Sequence, residues 1–327
     1  MSMLTRPVLK IALPLIAVFA AATAAHGADY PTRPIRVIVP FPAVSLATTI
    51  LRGVSTAMAP DLGTSIVIEN KPGGNTFIAM IAATTVEPDG YTLALATSAT
   101  DALNPLVYRK LPYDPDKLIP LAFLGSSPFV LLVPAQLNVK SLAEFVQMVK
   151  AKPGAYNFAS AGAGGPAHLL AEKLSRAAGL KMEHVQFPGS GPIHISMMRS
   201  DVHLYFDALT NALPLIRDGR LKALAIGLDQ RFPSLPDLPT MTEAGYPGFG
   251  MAAWYALRAP RGTPPEAIEK LTRSVNKALG NQALRQQFAD TGVLLGQAGG
   301  PKELNDRIAA DRAGWAPVIS DLKIQLD

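Results

Sequence analysis

FASAGAGGPAHLL, residues Phe158–Leu170, decides how the rest of the chain is read. A short apolar strand end runs into Gly162, Gly164 and Gly165, then Pro166, then an apolar helical run. Glycine lets the backbone turn sharply, and proline suits the first helical position because its missing N–H would be unpaired there anyway. The stretch is therefore one strand–loop–helix unit. A helix start leaves free amides and a partial positive charge, so it attracts an anion. The construction recurs 26 residues on, where HVQF, then PGSG, leads into Pro192. Both helices begin Gly-Pro-x-His: Gly165-Pro166-Ala167-His168 and Gly191-Pro192-Ile193-His194. Two such starts make either a shared anion site or two ordinary strand–helix turns, and these residues alone fit both.

Outward from this stretch the alternation continues. FVLLVP, AYNFAS, MEHVQF, VHLYFD and LKALAIG are strand-like, with helical runs between them. Nearer the start, IRVIVP, SIVIEN and YTLALATS are strands separated by helices. Strands alternating with helices of this length predict parallel β-α-β units with right-handed crossovers. WYALRAP is a late strand, and three helical runs close the chain. These helices need a sheet to cover, so the second α/β group is inserted within the first. The chain is expected to cross between the groups near Gly125–Phe129 and Gly250–Trp254. Residues 28–126 plus 253–327 then form one lobe and 127–252 the other, with a two-crossing hinge and a cleft between two doubly wound α/β lobes. Ligands in open α/β sheets sit at the carboxyl ends of the strands.

Residues 1–27 read as a cleavable signal peptide: Arg6 and Lys10, an apolar run from Ile11 to Ala25, and small residues up to Gly27. That run is 15 residues, shorter than the ~20 a spanning helix needs. Cleavage after Gly27 lowers the formal charge from +5 to +3, since Arg6 and Lys10 leave. So mild a charge, unclustered, does not fit a nucleic-acid partner. The mature chain is expected to be exported, as a monomer.

The chain has no cysteine, which excludes thiol catalysis and Cys-ligated zinc or iron–sulfur sites. The phosphate-loop pattern Gly-x-x-x-x-Gly-Lys-Ser/Thr is absent, and the Gly162–Ala167 run places Pro166 and Ala167 where a dinucleotide fingerprint would close on its last glycine. Neither Gly-x-Ser-x-Gly nor His-Glu-x-x-His occurs, and His168, His184, His194 and His203 lack metal-ligand spacing. No cofactor, metal or catalytic group is expected; a carboxylate is the better anion. His168 and His194 stand beside helix starts as hydrogen-bond donors. Asp207 ends the strand VHLYFD and either reads a ligand or caps the next helix. Trp254 and Tyr255, at the second crossing, either pack the core or line the hinge.

Over the whole mature chain the sequence resembles the substrate-binding receptors of tripartite tricarboxylate transporters, the TctC or Bug-type family. The matching stretches include YPTRPIRVIVPFPA, IENKPGGN, EPDGYTLALATSAT, NPLVYRKLPYDP, YNFASAGAGGPAHLLAEKL, GSGP, LPDLPTMTEAGYPGF and WYALRAPRGTP. The resemblance implies the type II periplasmic binding-protein fold and a non-catalytic receptor. Such a receptor closes on a small organic acid and delivers it to membrane permease subunits, or presents it to a membrane sensor. An enzyme on the same scaffold, or a copy that no longer binds, are the other readings. Backbone amides and hydroxyls from strand-end loops hold the carboxylate in this family. On this chain those positions are Ala43, Val44, Ser45 and Thr48; Thr97 and Ser98; Ser160, Gly162, Ala163, Gly164 and His168; Gly189, Ser190 and Gly191; and Asp207.

The chain departs from the family pattern in PFPAVSLATT. Val44 and Ser45 stand where the family has two glycines, and Thr48 where it has aspartate. Phe187-Pro188 replaces Tyr-Lys before Gly189-Ser190-Gly191, and Ala208 replaces Asn after Asp207. The first-lobe loop is expected to be rebuilt, offering the Ser45 and Thr48 hydroxyls in place of amides. The expected ligand is a larger, more apolar acid, with an aromatic acid as the example.

Overall fold

The computed structural model describes residues 30–326. The signal-peptide reading of residues 1–27 lies outside them. The first group comprises β1 (Ile35–Val39), α1 (Leu46–Leu62), β2 (Ile66–Asn70), α2 (Phe77–Ala83) and β3 (Thr92–Thr97). A π-helical turn, Ala99–Leu103, runs into α3 (Asn104–Val107). Then follow β4 (Leu118–Pro134), α4 (Leu142–Ala151), β5 (Asn157–Ser160), α5 (Pro166–Ala178), β6 (Glu183–Gln186), α6 (Ser190–Met198), β7 (Leu204–Ala208), α7 (Leu209–Arg217) and β8 (Leu221–Ile226). The chain closes with β9 (Ala252–Pro260), α8 (Pro265–Leu279), α9 (Gln282–Ala289), β10 (Leu294–Leu295) and α10 (Pro301–Leu322). None of the described helices is long and apolar enough to cross a membrane.

One sheet links the strands in the order β2-β1-β3-β9-β4-β7-β5-β6, with β8 and β10 also on β4. β1 is parallel to β2 and β3, and β5 is parallel to β6 and β7. Between these parallel sets run the antiparallel β9 and β4. β4 is 17 residues long and belongs to both groups. Leu118–Pro128 pairs with β9; from Phe129 onward the partners are β7 and β8.

The sequence reading recognised only the Phe129–Pro134 part of this strand and took LPYDPDKLIP as a connection. Proline disguised the rest, because it normally interrupts a ladder. Here Pro120 sits beside a register shift, where a missing donor is tolerated. Gly125 lies at the second shift, and a Cβ there would be 2.8 Å from Leu294 O. Only glycine admits β10 so close to β4.

Two large cores flank the sheet. One gathers Val37, Leu51, Leu93, Leu257 and Leu271. The other gathers Leu131, Phe145, Phe158, Leu170 and Phe206. Leu103 and Val107 also lie in this second core, as do Trp315, Val318 and Ile319 of α10. The sequence reading assigns 28–126 and 253–327 to the first lobe, so these turns pack across that division. Helical periodicity marks a face to be buried, and it does not say which sheet covers it.

Candidate functional site

Strand directions bring two rows of loops face to face. β3 opposes β9 and β9 opposes β4, so β1, β2 and β3 run the same way as β4. β4 continues into the second group, so the carboxyl ends of β1–β3 point toward it. β7 opposes β4, so the carboxyl ends of β5–β7 point back. The register sets the gap. Thr97 pairs with Tyr255, Tyr255 with Gly125, and Ala208 with Phe129. The two ends are thus four residues apart along β4, ~13 Å at strand rise.

On the first side, the loop after β1 spends its own hydroxyls. Ser45 caps α1 by accepting from Thr48 N at 3.2 Å. Ser45 Oγ donates to Thr48 Oγ1, which donates to Pro42 O and accepts from Asn70 Nδ2 at 2.9 Å. Thr48 is fully buried. The expectation that Ser45 and Thr48 would be offered to a ligand therefore does not match their hydrogen bonding. Asn70, on β2, was the partner the local sequence did not reveal. Ala43 is exposed and Val44 is 97% exposed.

After β3, Thr97 and Thr100 exchange hydrogen bonds: Thr97 N donates to Thr100 Oγ1, and Thr100 N to Thr97 Oγ1. Ser98 is buried, and its hydroxyl has no partner among the described residues. Tyr255, opposite Thr97, is 9% exposed and packs edge-on against Phe41 with ring centres 6.5 Å apart. The nearby Asp101 forms a buried ion pair with Arg258 at 2.8 Å, tying the π-helical turn to β9.

On the second side, the quoted stretch forms its loop as expected, but its donors are distributed differently. Gly162 N donates to Ser160 Oγ, Gly164 N to His168 Nδ1 at 2.9 Å, and Gly165 N to Gly162 O. Ser160 Oγ also contacts His184 Nε2 at 2.7 Å. His168 and His184 stack 4.1 Å apart, with Phe158 against His184. Burial lowers both histidine pKa values, and the His168 ring further disfavours a charge on His184. His168 thus anchors the loop through Nδ1 as an acceptor, whereas the sequence reading cast it as a donor. His184, overlooked as a site residue, completes the anchor. Its only sequence signal was its place two residues from the end of MEHVQ.

The start of α6 is arranged around Asp207. Oδ2 lies 2.7 Å from His194 Nε2, and Oδ1 accepts from Ala208 N at 2.8 Å and Asn211 Nδ2 at 3.1 Å. Ser190 Oγ contacts Tyr205 Oη at 3.0 Å and donates to Asp207 Oδ1 at 3.4 Å. Serine, histidine and aspartate are brought together, but Asp207 stands between the other two. Ser190 thus lacks the histidine contact a nucleophile requires. The side chains of Ser160, Ser190 and Asp207 shape the loops. The N–H groups of Ala163, Ser190 and Gly191 have no partner among the described residues, and Gly165 and Gly189 cap α5 and α6 without a side chain. These free amides at two helix starts are what the arrangement offers an anion.

A cavity of about 900 Å³ lies beside the crossings instead, lined by Phe123, Ser126, Met251 and Asp311 among others. Three of its four carboxylates are engaged: Asp311 by Trp254 Nε1, Glu303 by Gly300 N and Asp306 by Lys302 Nζ, while Asp229 has no partner among the described residues. The unpaired amide donors lie at the strand ends, which are therefore the candidate site. No cluster of metal-binding side chains occurs among the described residues.

Residues 50–324 match the family model described as "Tripartite tricarboxylate transporter family receptor". The chain is 33% identical to Protein BugT of Bordetella pertussis over 91% of each chain. Among solved structures it is similar to Rpa4515 of R. palustris with adipate: 31% identity, TM-score 0.83, covering 91% of this chain and 99% of that one. It is also similar to MatC of Rhodopseudomonas palustris with bound malate: 34% identity, TM-score 0.77, covering 89% and 100%. The architecture is that of the periplasmic binding proteins, and the relatives are binding proteins and not enzymes.

Proposed function

The chain belongs to the tripartite tricarboxylate transporter receptor family, and from that premise we propose that it is a periplasmic solute receptor. It captures a small organic carboxylate between its two lobes and delivers it to membrane permease subunits. The observation that carries this reading is the pair of uncapped helix starts, α5 and α6, whose free amides face the strand ends of the other group. The proposed lobes are residues 28–126 with 253–327, and 127–252. The proposed contacts come from the Ala43–Thr48, Thr97–Ser98, Ser160–Gly164 and Gly189–Gly191 loops.

That the similar R. palustris proteins hold adipate and malate supports a small organic acid as the ligand. Val44 and the internally paired Ser45 and Thr48 leave the first-lobe loop without a charged or free hydroxyl group. This favours an acid with a larger apolar body over a short dicarboxylate. Delivery proceeds by closure on the acid, and no group in the cleft is set to convert it.

The test is thermal unfolding of the chain from Ala28 with short dicarboxylates, tricarboxylates, acidic amino acids and aromatic acids. Ligand at 100 times its Kd adds about 2.7 kcal/mol, which raises the midpoint by several degrees. A midpoint unmoved by every acid refutes the reading, as does turnover of the acid that binds.

A further inference from the structure

Two hydroxyls on the first side of the cleft have no hydrogen-bond partner among the described residues. Tyr255 is 9% exposed and Ser98 7% exposed, and neither side chain bonds to protein. Neither oxygen is among the fully buried side-chain atoms left without a partner, so what exposure remains reaches the hydroxyls and leaves them open to a ligand. These two lie together by register. Tyr255 is the strand partner of Thr97, and Ser98 follows Thr97 directly. Both stand at the carboxyl end of β3, on the floor between the facing loops, with the Phe41 ring against Tyr255. Other polar groups nearby are used up: Thr48 by Pro42 and Asn70, Thr97 by Thr100.

We propose that the Tyr255 hydroxyl, with Ser98 beside it, receives the far end of the ligand and thereby sets its chemical class. The inference rests on the receptor reading above and deepens it. The carboxylate is taken by the amides of α5 and α6, across the cleft. The far end meets two neutral hydroxyls and an aromatic edge. Burial and the nearby Asp207 both hold the Tyr255 phenol in its neutral form. A second carboxylate at this floor would exchange its hydration for neutral groups alone. The ligand is accordingly a monocarboxylic acid whose opposite end carries a neutral hydrogen-bonding group: a hydroxyl, carbonyl or amide.

Two probe series isolate that end: benzoate, 4-hydroxybenzoate and terephthalate; hexanoate, 6-hydroxyhexanoate and adipate. Thermal unfolding and calorimetric titration compare the wild type with Tyr255→Phe and Ser98→Ala. In each series that binds, the hydroxy acid is expected to bind tightest and the diacid weakest. Tyr255→Phe is expected to weaken the hydroxy acid by about 3- to 10-fold, the range one net hydrogen bond carries, and to leave the unsubstituted acid unchanged. Without ligand, Tyr255→Phe is expected to unfold at or above the wild-type temperature, because it deletes a hydroxyl with no partner in the protein. A phenol already bonded within the protein gives the reverse, and a lowered ligand-free midpoint overturns the inference. Acid affinities equal in wild type and Tyr255→Phe overturn it while sparing the receptor reading. Wild type unmoved by every acid in both series overturns the two together.

Discussion

Ser45 and Thr48 face each other across the first turn of α1, their hydroxyl oxygens 3.0 Å apart. Together with Asn70 they close a network that holds the loop after β1 against β2. Thr48→Val keeps the shape but removes the donor to Pro42 O and an acceptor from Asn70. It should cost about 1–3 kcal/mol, the penalty of unpairing buried groups. Ser45→Ala should cost about 1 kcal/mol as a lost helix cap. Urea denaturation measures both. Acid affinity, measured alongside, should change less than twofold for Ser45→Ala, because its hydroxyl is spent inside the loop.

Val44 stands beside this network with its side chain in water. Val44→Gly should leave stability within about 0.5 kcal/mol, as for surface substitutions generally. If this loop selects ligands, the same change shifts preference toward smaller acids. Comparing the affinities of a short and a long acid on both chains reads that shift.

The Asp101–Arg258 pair is almost wholly buried, and Arg258 also donates to Leu118 O. Asp101→Ala strands the guanidinium in the core and should cost about 3–5 kcal/mol. The double substitution Asp101→Leu, Arg258→Met removes both charges and should recover part of the loss. Denaturation of the two variants decides it, and a double variant less stable than Asp101→Ala would contradict the account.

Gly164 has φ +72°, and a Cβ there would press Val107 and Leu326 at 3.3 Å. Gly164→Ala should cost at least ~1–2 kcal/mol from the left-handed backbone alone. It also displaces the Gly164 N–H from His168, so acid affinity should fall with stability.

His168, His184 and His203 all have pKa values lowered by burial. The unfolded chain takes up these protons near the ordinary histidine value of about 6.5, and the folded chain only at lower pH. Their contribution is fully present above that value and is lost as pH falls through the window below it. The unfolding midpoint should therefore drop between pH 7.5 and 5.5. His184→Phe should flatten the drop, because it removes one titrating ring and keeps the stack. Glu172 moderates the effect at His184 by favouring its charged ring.

The alternating α/β pattern and the two helix starts were legible because they are local: strand periodicity, glycine turns and proline at the first helical position all lie within a dozen residues. The groups proposed to hold a carboxylate were less so. Gly162 and Gly164 looked like donors, yet their amides are consumed by Ser160 and His168. Thr48 looked available until Asn70, 22 residues away, took its hydroxyl. Tyr255 could be placed at the crossing from sequence, but that its hydroxyl is unpaired depends on β3 and β9 lying side by side. The first half of β4 was hidden because its Pro120 sits beside a bulge, a feature set by its partner strand.

The second core contains Trp315, Val318 and Ile319, close to the end of the chain, and Leu326 bridges to Tyr108. Neither group of strands can be completed by a growing chain on its own. The first waits for β9 and α8, and the second waits for the last turns of α10. Shortening the C-terminus far enough to remove Val318 and Ile319 therefore uncovers the second core, while the first core, which takes nothing from α10, keeps all its residues.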